Sequence, residues 1–381
     1  MSLRLGTRVG DYEVIGMLGS GGMGAVYQVR HLISDRIEAM KVLLPDLTST
    51  PELAERFVRE IRLQASLSHP NIASLHNALH VENQLLMVME YVDGETLADV
   101  LRRGPLSQRR AVDTGIQILA ALEYAHSRGV VHRDIKPSNV IINSEGLAKL
   151  MDFGIARGID DLDQLTQAGS AVGSMYYMSP EQVRAEAVDG RSDVYATGVT
   201  LFEAMTGERP IKGKTAAEVL QAQLEQAPRS PSLINPAIAE SVSRIVLKAL
   251  EKDPHWRYQS AGAFRADLVE VLAILPIPPE GRTPPPLARR ESTPIPAYTV
   301  KTPGSGSRGL PPTSSQALSF DPMGLERLRK DLAQHIGPMA NFLVNRAAKS
   351  ARSWQELYSQ LAPEIKDRKK RDRFLAGCPR G

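Results

Sequence analysis

Two short stretches concentrate side chains that could do chemistry together. "HRDIKPSN" (His132–Asn139) carries Asp134, Lys136 and Asn139, and "LMDFG" (Leu150–Gly154) carries Asp152. Two carboxylates and an amide can hold a hard divalent cation and orient a hydroxyl, and magnesium completes such a shell with phosphate oxygens. An ammonium beside them neutralises negative charge. That set suits phosphoryl transfer, which asks for positioning and charge neutralisation rather than covalent catalysis. The first stretch alone also reads as a solvated turn. Val130–Val131 before it and Val140–Ile142 after it have the pattern of short buried strands, a rigid frame for a polar loop.

Upstream, "LGSGGMGAV" places Gly19, Gly21 and Gly24 before Val26. Glycines let a turn approach phosphates closely and offer them backbone N–H groups. A dinucleotide site would need a helix next, but "AVYQVR" reads as a strand, so the spacing predicts a glycine-rich hairpin. By itself this is equally a plain hairpin turn. In "EAMKVL", Lys41 sits among apolar residues on a strand, and a buried ammonium needs an anion. Glu60 in "RFVREIRLQASL" is a candidate partner; alone, it reads better as one charge on a solvated helix face.

The elements that must position these groups divide the chain. Residues 11–92 read mainly as strands, with one helical pattern from Pro51 to about Leu67. From Thr96 to about Leu275 the periodicity is helical. "QRRAVDTGIQILAALEYAHSRG" ends in Gly129, a plausible C-cap, and the nearly all-apolar "DVYATGVTLFEAMTG" predicts a buried helix ended by Gly207. Residues 276–316 contain 11 prolines in 41 residues, which marks a linker. Beyond it Leu325, Leu328, Leu332 and Ile336 form one apolar stripe, Gly337-Pro338 breaks it, and Ser353 with Glu356 forms a capping box.

Composition sets the class. The 381 residues suffice for two or three domains, with 42% hydrophobic and 23% charged residues. A net charge of +3 gives no case for nucleic acid. The single cysteine, Cys378, excludes an internal disulfide framework and fits a reducing compartment. No stretch approaches the roughly 18 apolar residues of a membrane span, and the first residues lack a signal-peptide core. A cytoplasmic location is the expectation.

Taken in order, the glycine loop, A-x-K with Met40 inside it, H-R-D-x-x-x-x-N, D-F-G and S-P-E (Ser179-Pro180-Glu181) closely resemble the protein kinase signature over Tyr12 to Leu272. The resemblance implies an α+β, two-lobed protein kinase fold at 12–275. Its β-rich N-lobe would cover about 12–91 and its helical C-lobe about 92–275, followed by the Pro/Ser/Thr-rich linker at 276–318 and a small all-α C-terminal module at 319–378. It implies ATP and Mg²⁺. Lys41 would hold the α- and β-phosphates and pair with Glu60. Asp134 would take the substrate hydroxyl proton, Lys136 would neutralise the transferring group, and Asn139 and Asp152 would hold metal. Leu18, Gly19, Gly21, Gly24, Val26 and Ala39 would line the nucleotide, with Met89 as gatekeeper and Glu90 to Val92 as the hinge. Asp193 would brace the catalytic loop, and Arg257 would pair with Glu181.

Lys136 two residues after Asp134, and Gly173-Ser174 before "MYYMSPE", resemble serine/threonine kinases. "HPNI", "VMEYVDGETL" and "MSPEQ" resemble the bacterial branch. Ser174 would contact Asp134 and Lys136. Arg133 before the catalytic aspartate implies switching by phosphate in the activation loop, Ile155 to Met178, with Thr166 and Ser170 as the candidate phosphosites. One departure stands out: Gln64, four residues after Glu60, replaces the usual apolar residue that stacks on the D-F-G phenylalanine, and it could loosen the active arrangement. The expected partners are protein substrates with Ser/Thr acceptors, together with self-pairing for trans-autophosphorylation, and no nucleic acid. The runner-up readings are an ATP-binding pseudokinase scaffold acting through the C-terminal module, and a small-molecule kinase. The module itself would recruit substrates or regulators, or pair with itself. The linker's Thr-Pro pairs (Thr283, Thr293, Thr302) read more simply as spacer than as autophosphorylation sites. The tail from Ala362 is basic, with seven Lys or Arg against three Asp or Glu, as a solvated helix face would be.

Overall fold

The computed structural model describes residues 3–21, 24–43, 58, 61–81, 84–153 and 172–276. Beyond these it describes 321, 324–325, 327–328, 330–332, 344, 347–348, 351, 353–362, 365, 370–371, 374–375 and 377. The chain divides into two compact units, Met1–Ala288 and Arg289–Gly381.

The first unit opens with a six-stranded antiparallel sheet: β1 (Arg8–Val9), β2 (Tyr12–Gly21), β3 (Gly24–His31), β4 (Ile37–Leu43), β5 (Leu75–Val81) and β6 (Gln84–Glu90), in the order β1-β2-β3-β4-β6-β5. The glycine-rich stretch is the predicted hairpin between β2 and β3, with Gly21 opposite Gly24. Alternation sorts the side chains. Tyr27, Val29, Met40, Val42, Leu86 and Val88 join one core face. Val26, Ala39, Lys41, Met87 and Met89 fall on the other, because Lys41 pairs with both Val26 and Met87, and Ala39 with Met89. Of the expected helix from Pro51 to about Leu67, residues 58 and 61–67 are described; 58 and 61–65 are helical, and the helix ends before Ser66.

The larger lobe is helical. It also holds a three-stranded sheet of β7 (Gly94–Thr96), β8 (Val140–Asn143) and β9 (Ala148–Leu150). Its helices include α1 (Leu97–Leu101), α2 (Gln108–His126), α3 (Pro180–Val183), α4 (Gly190–Thr206), α5 (Ala216–Glu225), α6 (Glu240–Ala249) and α7 (Ala261–Ile274). The apolar α4 is buried nearly all round, as its composition predicts, and Gly207 ends it at φ 73°. α2 packs against α4 and α7 so closely that a Cβ on Gly115 would lie 2.8 Å from Leu201. Val130–Val131 does not form the expected strand. The Val130 N–H donates to Ala125 O of α2, so this segment finishes the helix turn rather than joining a sheet. In the second unit Ser353 Oγ caps α8 (Trp354–Leu361) by accepting from the Glu356 N–H at 3.1 Å. Leu328, Leu332, Leu357, Leu361 and Phe374 share its core, while Ile336 lies outside the described residues.

One buried ion pair fastens α3 to the segment between α6 and α7. Arg257 donates from Nη1 to Glu181 Oε1 at 2.7 Å and from Nη2 to Oε2 at 2.8 Å, as anticipated from the sequence. Three backbone carbonyls, Glu251, Lys252 and Arg191, take its remaining N–H groups. Arg257→Met would leave Glu181 buried and unpaired. We expect it to cost about 3–5 kcal/mol in urea denaturation. Nearby, burial and then Arg257 push the Lys252 ammonium down to about 8. The unfolded chain therefore binds more protons between that value and the ordinary lysine range, so stability rises with pH across this window. The midpoint of thermal unfolding should climb between about pH 8 and 9.5, below the ordinary tyrosine range. In Lys252→Met that climb should flatten.

Candidate active site

The catalytic-loop candidates are held from beneath by α4. Asp193, fully buried, accepts the His132 N–H at Oδ2 and the Arg133 N–H at Oδ1, both at 2.8 Å, and His126 Nε2 reaches Oδ2 at 2.8 Å. Hydrogen bonds from three groups satisfy a carboxylate that burial would otherwise penalise heavily. The loop meets this anchor with Arg133 at φ 65°, a strained conformation for a side chain of that size. Gln182 Nε2 donates to Arg133 O at 3.0 Å, a second hold that the sequence did not suggest. His132 packs at 4.5 Å centroid separation on Phe153 and contacts Met151 O at 3.0 Å. Burial pushes its pKa down, against the pull of Asp193 and Asp134, which favours the neutral ring.

Above this base the polar groups converge. Lys136 Nζ lies 2.8 Å from Asp134 Oδ2 and donates to Ser174 Oγ at 3.0 Å. Asn139 Nδ2 donates to Asp134 O and Oδ2 at 2.8 and 3.0 Å. Lys41, brought from β4, lies 2.7 Å from Asp152 Oδ1 across 111 positions of sequence. Burial, the largest influence, works to raise the Asp152 carboxyl, but the Lys41 ammonium, with help from His132 and Lys136, holds the group below its ordinary value. Asp152 adopts φ 48°, which turns it out of the strand direction of β9. One ionised carboxylate and one amide oxygen, completed by phosphate oxygens, suit Mg²⁺. Among the described residues no three carboxylate, histidine or cysteine side chains gather as a self-sufficient metal cage.

Val26, Ala39 and Lys41, with Met89, fall on one face of the N-terminal sheet. Gly19, Gly21 and Gly24 form the hairpin, and Leu18 precedes it on β2. Val26, Ala39 and Lys41 follow on adjoining strands, with Met89 buried behind them. Glu90 ends β6 and Val92 follows it. Glu60, Gly154, Thr166 and Ser170 lie outside the described residues. Gln64 is buried: its Nε2 donates to Ala73 O at 3.3 Å, while its Oε1 has no hydrogen-bond partner among the described residues.

A protein kinase domain model matches residues 12–269, two thirds of the chain. The chain belongs to the protein kinase family. Its relatives place it in the bacterial serine/threonine branch. It is 42% identical over 274 residues to a probable serine/threonine-protein kinase of Streptomyces coelicolor, covering 70% of this chain and 41% of that protein. It is 41% identical over 266 residues to the serine/threonine-protein kinase PknB of Mycobacterium tuberculosis, covering 68% and 42%. PrkC of Bacillus subtilis, also a serine/threonine-protein kinase, is 39% identical over 266 residues, covering 69% and 41%. The chain thus spans less than half the length of these curated relatives. The crystal structure of the Mycobacterium tuberculosis PknI kinase domain superposes with a TM-score of 0.56 at 30% identity, covering 71% of this chain and 99% of that one. Residues 325–380 match a domain of unknown function, DUF8082.

Sequence reasoning did not anticipate several supports around these candidate groups. His126 on Asp193, Gln182 on the Arg133 carbonyl, and Lys149 on Glu90 are all long-range pairs of ordinary polar residues, with no local pattern to flag them. The Asp193 support is open to direct test. Asp193→Ala removes a charged acceptor from two backbone N–H groups, and hydrogen bonds to charged groups contribute about 1.5–3 kcal/mol each. The variant should lose at least about 3 kcal/mol in urea denaturation, and amide exchange at His132 and Arg133 should accelerate.

Proposed function

We propose that the chain is a serine/threonine protein kinase that transfers the γ-phosphoryl group of ATP to hydroxyls of protein substrates. The observation that carries this reading is the convergence of Asp134, Lys136, Asn139 and Asp152 with Lys41 from the other lobe. Asp134 accepts the proton of the acceptor hydroxyl. Lys136, within reach of both Asp134 and Ser174, puts a cation where the transferring group gains charge. Lys41 supplies the counter-charge for the nucleotide phosphates, and Asn139 and Asp152 would hold Mg²⁺. When bound, that ion neutralises phosphate charge and fixes the phosphate geometry. The Lys136–Ser174 contact supports hydroxyl acceptors of the serine/threonine type, since it ties the peptide-side segment to the catalytic loop. We assign regulation to phosphorylation of the activation loop at Thr166 or Ser170, read by Arg133, and a cytoplasmic location. Trans-autophosphorylation between two copies accounts for such a switch.

Incubation of the protein with Mg-ATP should add phosphate to Thr166 or Ser170, mapped by mass spectrometry. Asp134→Asn should lower the rate by at least about 100-fold while leaving ATP affinity within a few-fold, since general-base groups contribute roughly 10²–10⁴ to rate. ATP binding without transfer in the wild type would favour a scaffold acting through the C-terminal module.

A further inference from the structure

Lys149 lies on β9, three residues before Asp152, and its side chain leaves the catalytic lobe to reach the end of β6. Its Nζ sits 2.8 Å from Glu90 Oε1 and 2.9 Å from Oε2. The pair is sheltered, with side-chain exposures of 14% and 27%. Glu90 is tied a second way: its N–H donates to Ser74 O at 2.9 Å, and its Oε2 accepts the Ser74 N–H at 3.2 Å. Directly opposite Glu90 in the ladder stands Glu38, a fully buried carboxylate. Like charges at opposed positions repel and destabilise the pairing. Arg36 at 2.6 Å and His76 at 2.5 Å hold Glu38 through Oε1 alone, and its Oε2 has no hydrogen-bond partner among the described residues. Only Lys149, among the described residues, places a cation on the Glu90 side of this couple.

We propose that Lys149 and the Glu90 side chain form a strut that sets the hinge for adenine, and that both are positioning residues for ATP. The inference rests on the ATP reading above. One short segment then serves both ends of the nucleotide: Asp152, just beyond β9, for the metal at the phosphates, and Lys149 on β9, through Glu90, for the base. Loss of the cation leaves two carboxylates facing each other across the ladder, and β6 turns away at the residue whose backbone meets adenine. The effect falls on binding of the base rather than on the transfer step, because the loop that carries Asp134 and Lys136 is held separately, through the His132 and Arg133 N–H groups on Asp193.

The test is a double-mutant cycle on the full chain, with steady-state kinetics in ATP and thermal unfolding measured for each variant. Lys149→Met should raise the KM for ATP about fivefold, the scale of a sheltered ion pair, with kcat within twofold. Lys149→Arg, which keeps the charge, should restore most of the loss. Glu90→Gln, which retains an acceptor for Ser74, should also raise KM, and the double variant should be no worse than the poorer single one. If Lys149→Met unfolds, Glu90→Gln with Lys149→Arg still decides the matter. An unchanged KM in the folded variants, additive losses, or a fall in kcat at constant KM would overturn the strut while leaving the kinase reading intact. A wild type that neither binds nor turns over ATP would overturn both.

Discussion

The buried carboxylate of Asp193 is the constraint on which the catalytic apparatus depends. It is fully enclosed and takes hydrogen bonds from His126 on α2 and from two consecutive backbone N–H groups of the catalytic loop. A charge so placed is tolerable only while all its partners are present. The loop cannot slide along α4 without leaving that charge unsatisfied, so its backbone accepts a positive φ at Arg133 instead. Asp134, Lys136 and Asn139 inherit their positions from this fixed point. The strain sits one residue from the chemistry because the anchor lies directly below it.

A second set of bonds links the lobes behind the site. Leu150 N donates to Asn71 O, and Ala73 N donates to Leu150 O, so β9 runs beside the segment entering β5. Gln64 joins this set by donating to Ala73 O. The sequence marked it as a departure from the apolar residue usual at this position in kinases. The glutamine instead brings one hydrogen bond and one buried acceptor without a partner among the described residues. Such an acceptor costs about 1–3 kcal/mol. The helix at 61–65 is therefore coupled to β9 through a polar contact with an internal cost.

Much of the fold was legible because its signals are local. Short strand-like runs marked β2, β3, β4 and β6, glycines between two of them marked the hairpin, and a nearly all-apolar run ending in Gly207 marked α4. Where the local signal misled, a competing local bond explains it. The β-branched Val130 and Val131 suggested a strand, but the chain had just left α2, and Val130 N bonds back to Ala125 O. The sheet partners that a strand would need were already joined to one another, β8 with β7 and β9. The second unit's N-cap was readable for the same reason: Ser353 accepts from the Glu356 N–H only three residues on.

The catalytic groups divide along the same line. By itself the sequence determined which groups are present and their spacing inside each motif: an aspartate, lysine and asparagine within one eight-residue loop, and a second aspartate before Phe153. Those spacings act over a few residues, where backbone geometry leaves few choices. Only the tertiary structure decided that Lys41 meets Asp152 across 111 positions, that His126 joins the loop on Asp193, and that Lys149 grips Glu90. Contacts of that kind depend on how two sheets and a buried helix pack. No local pattern encodes such a pairing, because each partner alone is an ordinary charged residue that water would satisfy equally well.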